Sequence, residues 1–237
     1  MIPKRCISFI ILVLIQSCQE SAVSLYNKGV DFFENRQYDS SIVYITRALE
    51  VGSTDSLFEI SAYYWRGLSY SHAGKYSLAS KDFSKVLSID TAYAYVYTLR
   101  GVAYTHAEQF DLAIADFTKA IGLEPDSAGA YVFRGTAFDD KGMSQKAIED
   151  YSKAIELDSN EMTAYNRRGL LYLYEGKYDL AIRDFTKVIE NDPLDAKNYD
   201  NRGAAYFGNK QYQLAIKDWR EANRLDSNKR EILIHTS

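Results

Sequence analysis

Apolar and small residues recur along this chain at helical spacing, with regular interruptions. In the stretch from Asn166 to Phe185 (NRRGLLYLYEGKYDLAIRDF), one apolar stripe ends at a Gly-Lys-Tyr break and a second stripe follows. The first stripe places an aromatic residue, a glycine and another aromatic residue at i, i+4 and i+7, which is one face of a helix. The second stripe runs from Tyr178 to Ile189. The pattern predicts two helices joined by a tight turn.

The same two-helix pattern occurs six times. The glycine of the first helix recurs with spacings of 38, 34, 34, 34 and 34 residues, at Gly29, Gly67, Gly101, Gly135, Gly169 and Gly203. A fixed period in this range indicates a repeat array. With each glycine at position 8, the copies span residues 22–55, 60–93, 94–127, 128–161, 162–195 and 196–229, and a tail follows at 230–237.

Prolines and additional residues mark the junctions between copies. Pro125 and Pro193 occupy position 32, where they end the second helix. Residues 56–59, between the first two copies, either lengthen a loop or extend the next helix. The tail is expected to begin a seventh first helix, in which Ile232 and Leu233 cover the open end of the last copy as a terminal cap.

The repeated positions resemble the tetratricopeptide repeat. Aromatic residues at positions 4, 11 and 24, glycine at 8, a small residue at 20, alanine at 27 and proline at 32 carry the resemblance over residues 22–229. The first copy departs from it, with Ser41 at position 20 and Ile45 at position 24. The resemblance implies an all-α, right-handed superhelical solenoid of helix-turn-helix repeats, with six repeats plus a C-terminal cap. It also implies a concave groove, lined by the first helices, that binds a protein or peptide partner.

Arginine at position 7 and aspartate at position 23 occur together in copies two to six. Both are absent from the first copy, which has Lys28 and Tyr44 instead. Because a partly buried arginine needs a charged partner, the pattern predicts an ion pair between the two helices of a copy. The alternative is a ladder of arginines that binds anions. The predicted pairs are Arg66–Asp82, Arg100–Asp116, Arg134–Asp150, Arg168–Asp184 and Arg202–Asp218.

The resemblance places partner contacts at positions 2, 5, 9, 12 and 13 of the first helices. These positions are mainly apolar and aromatic, which suits an extended or helical peptide with apolar anchors. They lack the lysine, asparagine and arginine cluster with which some family members clamp a terminal carboxylate. In the alternative interpretation, the aromatic residues pack on their neighbours and only stiffen the groove. The candidate groove residues are Tyr64, Leu68, His72, Tyr95, Val102, His106, Thr136, Asp140, Asn166, Leu170, Tyr174 and Phe207.

The chain shows no catalytic or cofactor motif. It has no phosphate-binding glycine loop, no nucleophile with a general base and no metal-ligand spacing, so we predict no enzymatic activity, no cofactor and no metal. His72 and His106 share position 13 in adjacent copies. Adjacent first helices lie about 10 Å apart, however, which is wide for two ligands of one ion. The net charge of −4 and the absence of a basic block argue against a nucleic-acid surface.

The first twenty residues differ from the repeats. A basic start precedes the apolar run Ile7–Ile15 and the sequence Gln-Ser-Cys, which is the layout of a secretory signal. The serine before Cys18 resembles the lipobox of bacterial lipoproteins, although Ile15 and Gln16 depart from that pattern. This resemblance implies a signal peptide at 1–17, a lipid on Cys18 and a tether at 18–21 before a repeat domain at 22–237. An ordinary cleaved signal and an uncleaved anchor are the alternatives.

These features predict an exported, membrane-anchored scaffold that holds a protein partner as an assembly or docking factor of the bacterial cell envelope. Gln19 is not the aspartate that retains some lipoproteins in the inner membrane, which favours the outer membrane. Two alternatives remain open. The groove could bind a cell-wall glycan, since aromatic faces could stack against sugars, or the chain could be a structural spacer whose groove has no ligand.

Overall fold

The structure is a computed structural model that describes residues 20–235, with the side chains of residues 20–226. Over these residues it contains twelve α-helices and no strand, which confirms the all-α prediction with two helices in each copy. The helices are α1 (Ala22–Glu34), α2 (Tyr38–Val51), α3 (Ser56–His72), α4 (Tyr76–Ile89), α5 (Ala94–His106), α6 (Phe110–Leu123), α7 (Ala128–Asp140), α8 (Ser144–Leu157), α9 (Met162–Tyr174), α10 (Tyr178–Asn191), α11 (Ala196–Gly208) and α12 (Tyr212–His235).

The helices belong to two compact units that divide between Glu108 and Gln109. The first unit contains α1 to α5, and the second contains α6 to α12. Within each unit, the two helices of a copy pack together, and the second helix also packs against the first helix of the next copy. Each copy therefore buries its apolar stripes against its sequence neighbours, as expected of a repeat array.

A left-handed residue at position 15 forms the turn between the two helices of every copy. Gly74, Gly142 and Gly176 have φ values of 71°, 78° and 73°. Three copies reach the same conformation without glycine, at Arg36, Glu108 and Lys210, with φ values of 58°, 58° and 61°. The next residue donates its N–H to the carbonyl of position 11 in the described turns, as in Lys75 to Tyr70 at 2.8 Å. This hydrogen bond is the Schellman closure of a helix C-terminus.

Close approach of the two helices explains the glycine at position 8. A Cβ atom built on Gly67, Gly135, Gly169 or Gly203 would lie 2.7–2.9 Å from the aromatic ring at position 24 of the same copy. The ring is Phe83, Tyr151, Phe185 or Trp219, respectively, and the first three of these side chains are fully buried. In the first copy, Gly29 faces Ile45 instead. The glycine therefore leaves space for a large side chain on the facing helix.

The structure shows how the residues between copies one and two and the residues after copy six are folded. The additional residues 56–59 extend a helix, because α3 begins at Ser56, where the Asp55 side chain accepts a 2.9 Å hydrogen bond from the N–H of Leu57. The expectation of a seventh first helix is wrong, since α12 continues without a break to His235. The capping contacts expected of Ile232 and Leu233 lie outside the described side chains. No helix within residues 20–235 has the length and apolar character needed to cross a membrane.

Candidate functional site

Four of the predicted arginine–aspartate pairs are present within single units. Arg66, Arg134, Arg168 and Arg202 each donate from Nε and Nη2 to both carboxylate oxygens of their aspartates, at 2.7–2.9 Å. Rings at positions 4 and 11 flank each guanidinium at 5.5–5.9 Å. All four aspartates are buried. The bidentate hydrogen bonds that Arg134 and Arg202 donate to Asp150 and Asp218 raise the pKa of the two arginines, although burial opposes this shift.

The remaining pair, Arg100–Asp116, stays a prediction because its two residues belong to different units. The arginines make a further contact that the repeat pattern was not used to predict. The Nη1 group of each arginine donates to a hydroxyl at position 25 of the preceding copy, at 2.9–3.2 Å. The signal was present in the sequence, since position 25 is Thr46, Ser84, Thr118, Ser152 and Thr186. In the sixth copy, this position is Arg220.

These contacts give a structural role to the arginine row, which is Arg66, Arg134, Arg168 and Arg202. Each of the four paired guanidiniums is held by a carboxylate of its own copy, a hydroxyl of the preceding copy and two aromatic faces. Their donors are therefore directed into the scaffold rather than toward an incoming anion. The anion-binding alternative finds no support in these four copies.

In the first unit, two predicted groove residues meet at a cavity. Tyr64 and Tyr95 line a space of about 330 Å³ together with Trp65 and Tyr93, over a floor of Ile60, Val86 and Val96. Tyr95 is 59% exposed. Burial raises the pKa of Tyr64, and the neighbouring Tyr95 raises it further, so the Tyr64 hydroxyl stays protonated at neutral pH. Trp65, at position 6, and Tyr93, at position 34, were not among the predicted groove residues.

Aromatic contacts extend from this cavity onto the first copy. Trp65 packs against Tyr64 at 5.8 Å and edge-on against Phe33 at 5.1 Å, measured between ring centroids. Tyr26 contacts Phe58 at 5.7 Å. We call these residues and the cavity tyrosines the aromatic surface, defined as Tyr26, Phe33, Phe58, Tyr64, Trp65, Tyr93 and Tyr95. No charged residue lines its cavity.

The other groove candidates of the first unit are partly engaged by the scaffold. His72 stacks on Tyr38 with a centroid distance of 4.8 Å, and His106 stacks on Tyr76 at 4.4 Å. In both cases the histidine at position 13 stacks on the tyrosine at position 17 of the preceding copy. Leu68 packs against the core, and Val102 is half-buried. Among the described residues, no group of three or more His, Cys, Asp or Glu side chains could hold a metal ion.

In the second unit, the candidates have varied surroundings. Thr136 accepts a 3.2 Å hydrogen bond from the Tyr151 hydroxyl and donates to the carbonyl of Val132 at 3.0 Å, so the scaffold uses it. Asp140 is exposed beside Asp139, whose pKa is raised by burial and by the Asp140 charge. Tyr174 is 84% exposed. Phe207 is half exposed and packs against Tyr212 and Trp219.

Asn166 and Leu170 line a second cavity, of about 530 Å³, between α9 and α11. The end of α10 closes this cavity with Val188, Asn191 and Asp192. Leu170 is half-buried. The side-chain oxygen of Asn166 is buried and has no hydrogen-bond partner among the described residues. The structure thus places the twelve groove candidates in several different environments, of which two are cavities.

Family models match the repeats directly. Models described as tetratricopeptide repeat match residues 60–93, 94–127 and 163–194, and one described as TPR repeat matches residues 135–174. These matches cover more than half of the chain, which belongs to the tetratricopeptide repeat family. Among curated protein sequences, none matches this chain.

Solved structures share the fold. A crystal structure of MamA is 27% identical in sequence and has a TM-score of 0.67. The match covers 73% of this chain and 94% of the MamA chain. The C-terminal part of a repeat protein from Cytophaga hutchinsonii is 23% identical, with coverages of 86% and 80% and a TM-score of 0.74. YrrB, described as a TPR protein with an unusual peptide-binding site, is 23% identical, with coverages of 81% and 97% and a TM-score of 0.63.

Proposed function

We propose that this protein is a scaffold that binds an apolar segment of a protein partner on the aromatic surface of its first unit. The observation that carries the proposal is the uncharged cavity between Tyr64, Trp65, Tyr93 and Tyr95. Its volume, about 330 Å³, falls at the lower end of the range for ligand pockets and suits one or two large apolar side chains. Tyrosine and tryptophan are also the residues that most often dominate the binding energy of protein interfaces.

The chemistry of this cavity favours a peptide anchor over a charged or strongly polar ligand. A charged group would lose its water in the cavity without gaining an opposite charge there. An apolar side chain loses little on entry and removes ring surface from water. The Tyr64 hydroxyl can still donate to a carbonyl group of a bound chain, because its raised pKa keeps it protonated at neutral pH. YrrB shows that this fold can carry a peptide-binding site, although its likeness to the present chain extends to the fold alone.

A peptide selection tests the proposal. Displayed random peptides selected on the full-length protein should be enriched in leucine, phenylalanine or tryptophan anchors. The double variant Tyr64→Ala/Tyr95→Ala should weaken the selected peptides at least tenfold, because two faces of the cavity are removed. Affinity is measured by isothermal titration or fluorescence anisotropy. Circular dichroism must show that the variant keeps the helicity of the wild type, because Tyr95 is exposed but Tyr64 is half-buried against the core.

Tyr174→Ala provides the matched control. This tyrosine is more exposed than Tyr95 but lies in the second unit, outside the aromatic surface. Its replacement should leave affinity within about twofold, since exposed side chains away from a contact contribute little. Equal weakening by both variants would argue against a site at the cavity. Competition by cell-wall glycan fragments, with no peptide enrichment, would favour the glycan alternative instead.

We also propose that a lipid on Cys18 anchors this scaffold in the bacterial cell envelope, where it acts as an assembly or docking factor. Support comes from the sequence of residues 1–18, which lie outside the described residues. Cells grown with a labelled fatty acid should incorporate the label into the wild-type protein, and Cys18→Ser should abolish incorporation. Cys6→Ser serves as the control, because Cys6 lies inside the proposed signal peptide. Label in neither protein, with secretion of both, would indicate an ordinary cleaved signal.

A further inference from the structure

Three exposed apolar residues lie at one end of the first unit. Val23 is the second residue of α1, Val51 is the last residue of α2, and Leu57 is the second residue of α3. These residues are 56%, 46% and 67% exposed, respectively. Consecutive helices here pack together and are joined by short loops, so they run antiparallel. The start of α1, the end of α2 and the start of α3 therefore share one end of the unit, which we call the apolar end.

Contacts within the unit agree with this placement. Glu20, which precedes α1, lines a cavity of about 260 Å³ together with Glu50 and Val51 at the end of α2. The rings of Tyr26 and Phe58, near the starts of α1 and α3, have their centroids 5.7 Å apart. The three helix termini of the apolar end are thus neighbours in the structure.

The opposite end of the same helices is mainly polar. Its two turns have the sequences Asn-Arg-Gln at 35–37 and Ala-Gly-Lys at 73–75. Among the exposed large apolar residues of α1 to α4, only Leu78 lies at this end, in the first turn of α4. The 14 residues of α2 separate the two ends by about 21 Å. Exposed apolar surface is therefore concentrated at one end of these helices rather than scattered over them.

The proposed lipid-bearing residue, Cys18, is joined to the apolar end by a short stretch of chain. Ser21 caps α1 by accepting a 3.1 Å hydrogen bond from the N–H of Ser24, and Glu20 forms an ion pair with Lys28. Two residue steps separate Glu20 from Cys18, so these residues lie within about 7 Å of each other. The headgroup region on each side of a bilayer is about 5–8 Å thick. A lipid on Cys18 therefore brings the start of α1 to the level of the headgroups.

We infer that Val23, Val51 and Leu57 contact the surface of the lipid bilayer and orient the first unit on it. The inference rests on the proposed lipid at Cys18, which the fatty-acid label tests by itself. Transfer of the three apolar side chains out of water favours the contact, as it does for interfacial helices. The anchor supplies the proximity, so a small apolar surface is sufficient.

The charges at the apolar end indicate which kind of bilayer it fits. Glu50, Asp55 and Glu59 are exposed there. Arg47 supplies a positive charge beside Glu50, and Lys28 is paired with Glu20. Anionic headgroups would repel the excess of carboxylates, whereas zwitterionic headgroups carry no net charge. The apolar end therefore fits a zwitterionic bilayer better than an anionic one.

Labelling of single cysteines in the full-length protein tests the contact. The protein is produced in cells, purified from their membranes and reconstituted in phosphatidylcholine nanodiscs. Leu57→Cys and Leu78→Cys are each labelled with the same fluorophore, and quenching by nitroxide-bearing phosphatidylcholine is measured. The introduced cysteine is then the only free thiol, because Cys6 lies in the proposed signal peptide and Cys18 carries the proposed lipid. Leu78 is the matched control, an exposed leucine at the opposite end of the helices.

The label on Leu57→Cys should be quenched at least about threefold more strongly than the label on Leu78→Cys. Interfacial apolar side chains lie about 5–10 Å deep in the headgroup boundary, whereas the opposite end is about 21 Å farther from the bilayer. Val23→Cys should give the same result as Leu57→Cys, which provides a second position if one label disturbs its surroundings. In phosphatidylglycerol nanodiscs the ratio should be smaller, because carboxylates meet anionic headgroups.

Three results would overturn the inference, and they differ from one another. Equal quenching at Leu57→Cys and Leu78→Cys, in protein whose mass includes the lipid, would leave the anchor in place but exclude the contact. Stronger quenching in phosphatidylglycerol would overturn the assignment to a zwitterionic bilayer. Purified protein whose mass lacks the lipid would remove both the anchor and the contact, while the peptide site on the aromatic surface would still stand.

Discussion

Asp184→Ala is expected to lower the free energy of unfolding by about 3 kcal/mol, because it leaves a buried guanidinium without its carboxylate. Asp184 is 4% exposed and receives hydrogen bonds from Arg168 at 2.8 and 2.9 Å. After the change, Arg168 keeps only its hydrogen bond to Ser152 and its contacts with two tyrosine rings. Urea denaturation followed by circular dichroism measures the change.

The exposed ion pair between Lys141 and Asp111 offers the same substitution at a surface site. The Asp111 side chain is 82% exposed, so Asp111→Ala should change stability by less than about 0.5 kcal/mol. The double variant Arg168→Met/Asp184→Leu should recover most of the loss, since it removes both charges together. If Asp184→Ala were as mild as Asp111→Ala, the arginine row would contribute little to stability. The interpretation of positions 7 and 23 as scaffold would then fail.

The repeat pattern predicted the fold because packing in an array is local. A glycine at position 8 and a large side chain at position 24 recur in each copy, and this pairing sets how closely the two helices approach. Copies contact their sequence neighbours, so a pattern that fixes one copy and its junction also fixes the next. The repeat pattern also predicted the turn between the two helices. In three copies Arg36, Glu108 and Lys210 form this turn in a left-handed conformation that glycine would adopt more easily. In these copies, packing of the two helices outweighs the local preference.

The end of the array was predicted less well, for a physical reason. The sequence Leu-Asp-Ser-Asn ends α8 at Leu157 in the fourth copy, but the same four residues lie within α12 in the sixth copy. In the fourth copy, a complete following copy buries Ala164 and Leu171 against the preceding helices. In the sixth copy, α11 is the helix that packs against α12 among the described residues, and α12 continues where α8 ends. Identical local sequences therefore adopt different structures because their packing partners differ.

The site was predicted in part. The groove positions given by the family resemblance include Tyr64 and Tyr95, which both line the cavity. They do not include Trp65, which directly follows Tyr64, or Tyr93, which lies in the loop before α5. Thr136 was assigned to the groove, yet it hydrogen bonds to the hydroxyl of Tyr151. The signal for this contact was present, because copies two, three and five have phenylalanine at position 24 and an aliphatic residue at position 9. A buried tyrosine hydroxyl needs a partner, and threonine supplies it.

Phe83→Ala is expected to lower the free energy of unfolding by about 4 kcal/mol, and it should reverse the effect of Gly67→Ala. Phe83 is fully buried, and its ring atoms lie 2.7–3.1 Å from the position of a Cβ on Gly67. With Phe83 present, Gly67→Ala should destabilise by about 1 kcal/mol, because the clash outweighs the better helix propensity of alanine. In Phe83→Ala, the ring is absent, and Gly67→Ala should stabilise by about 1 kcal/mol.

Urea unfolding of both single variants and the double variant measures this reversal as a coupling energy of about 2 kcal/mol. Gly122→Ala is the matched control, since no atom lies within 4 Å of a Cβ at this helical glycine. It should stabilise by up to about 1 kcal/mol whether or not Phe83 is present. Equal destabilisation by Gly67→Ala in both backgrounds would show that the glycine serves something other than the ring it faces. The reversal instead identifies the glycine and the ring as a single packing unit, and glycine at position 8 recurs with phenylalanine at position 24 in copies two, three and five.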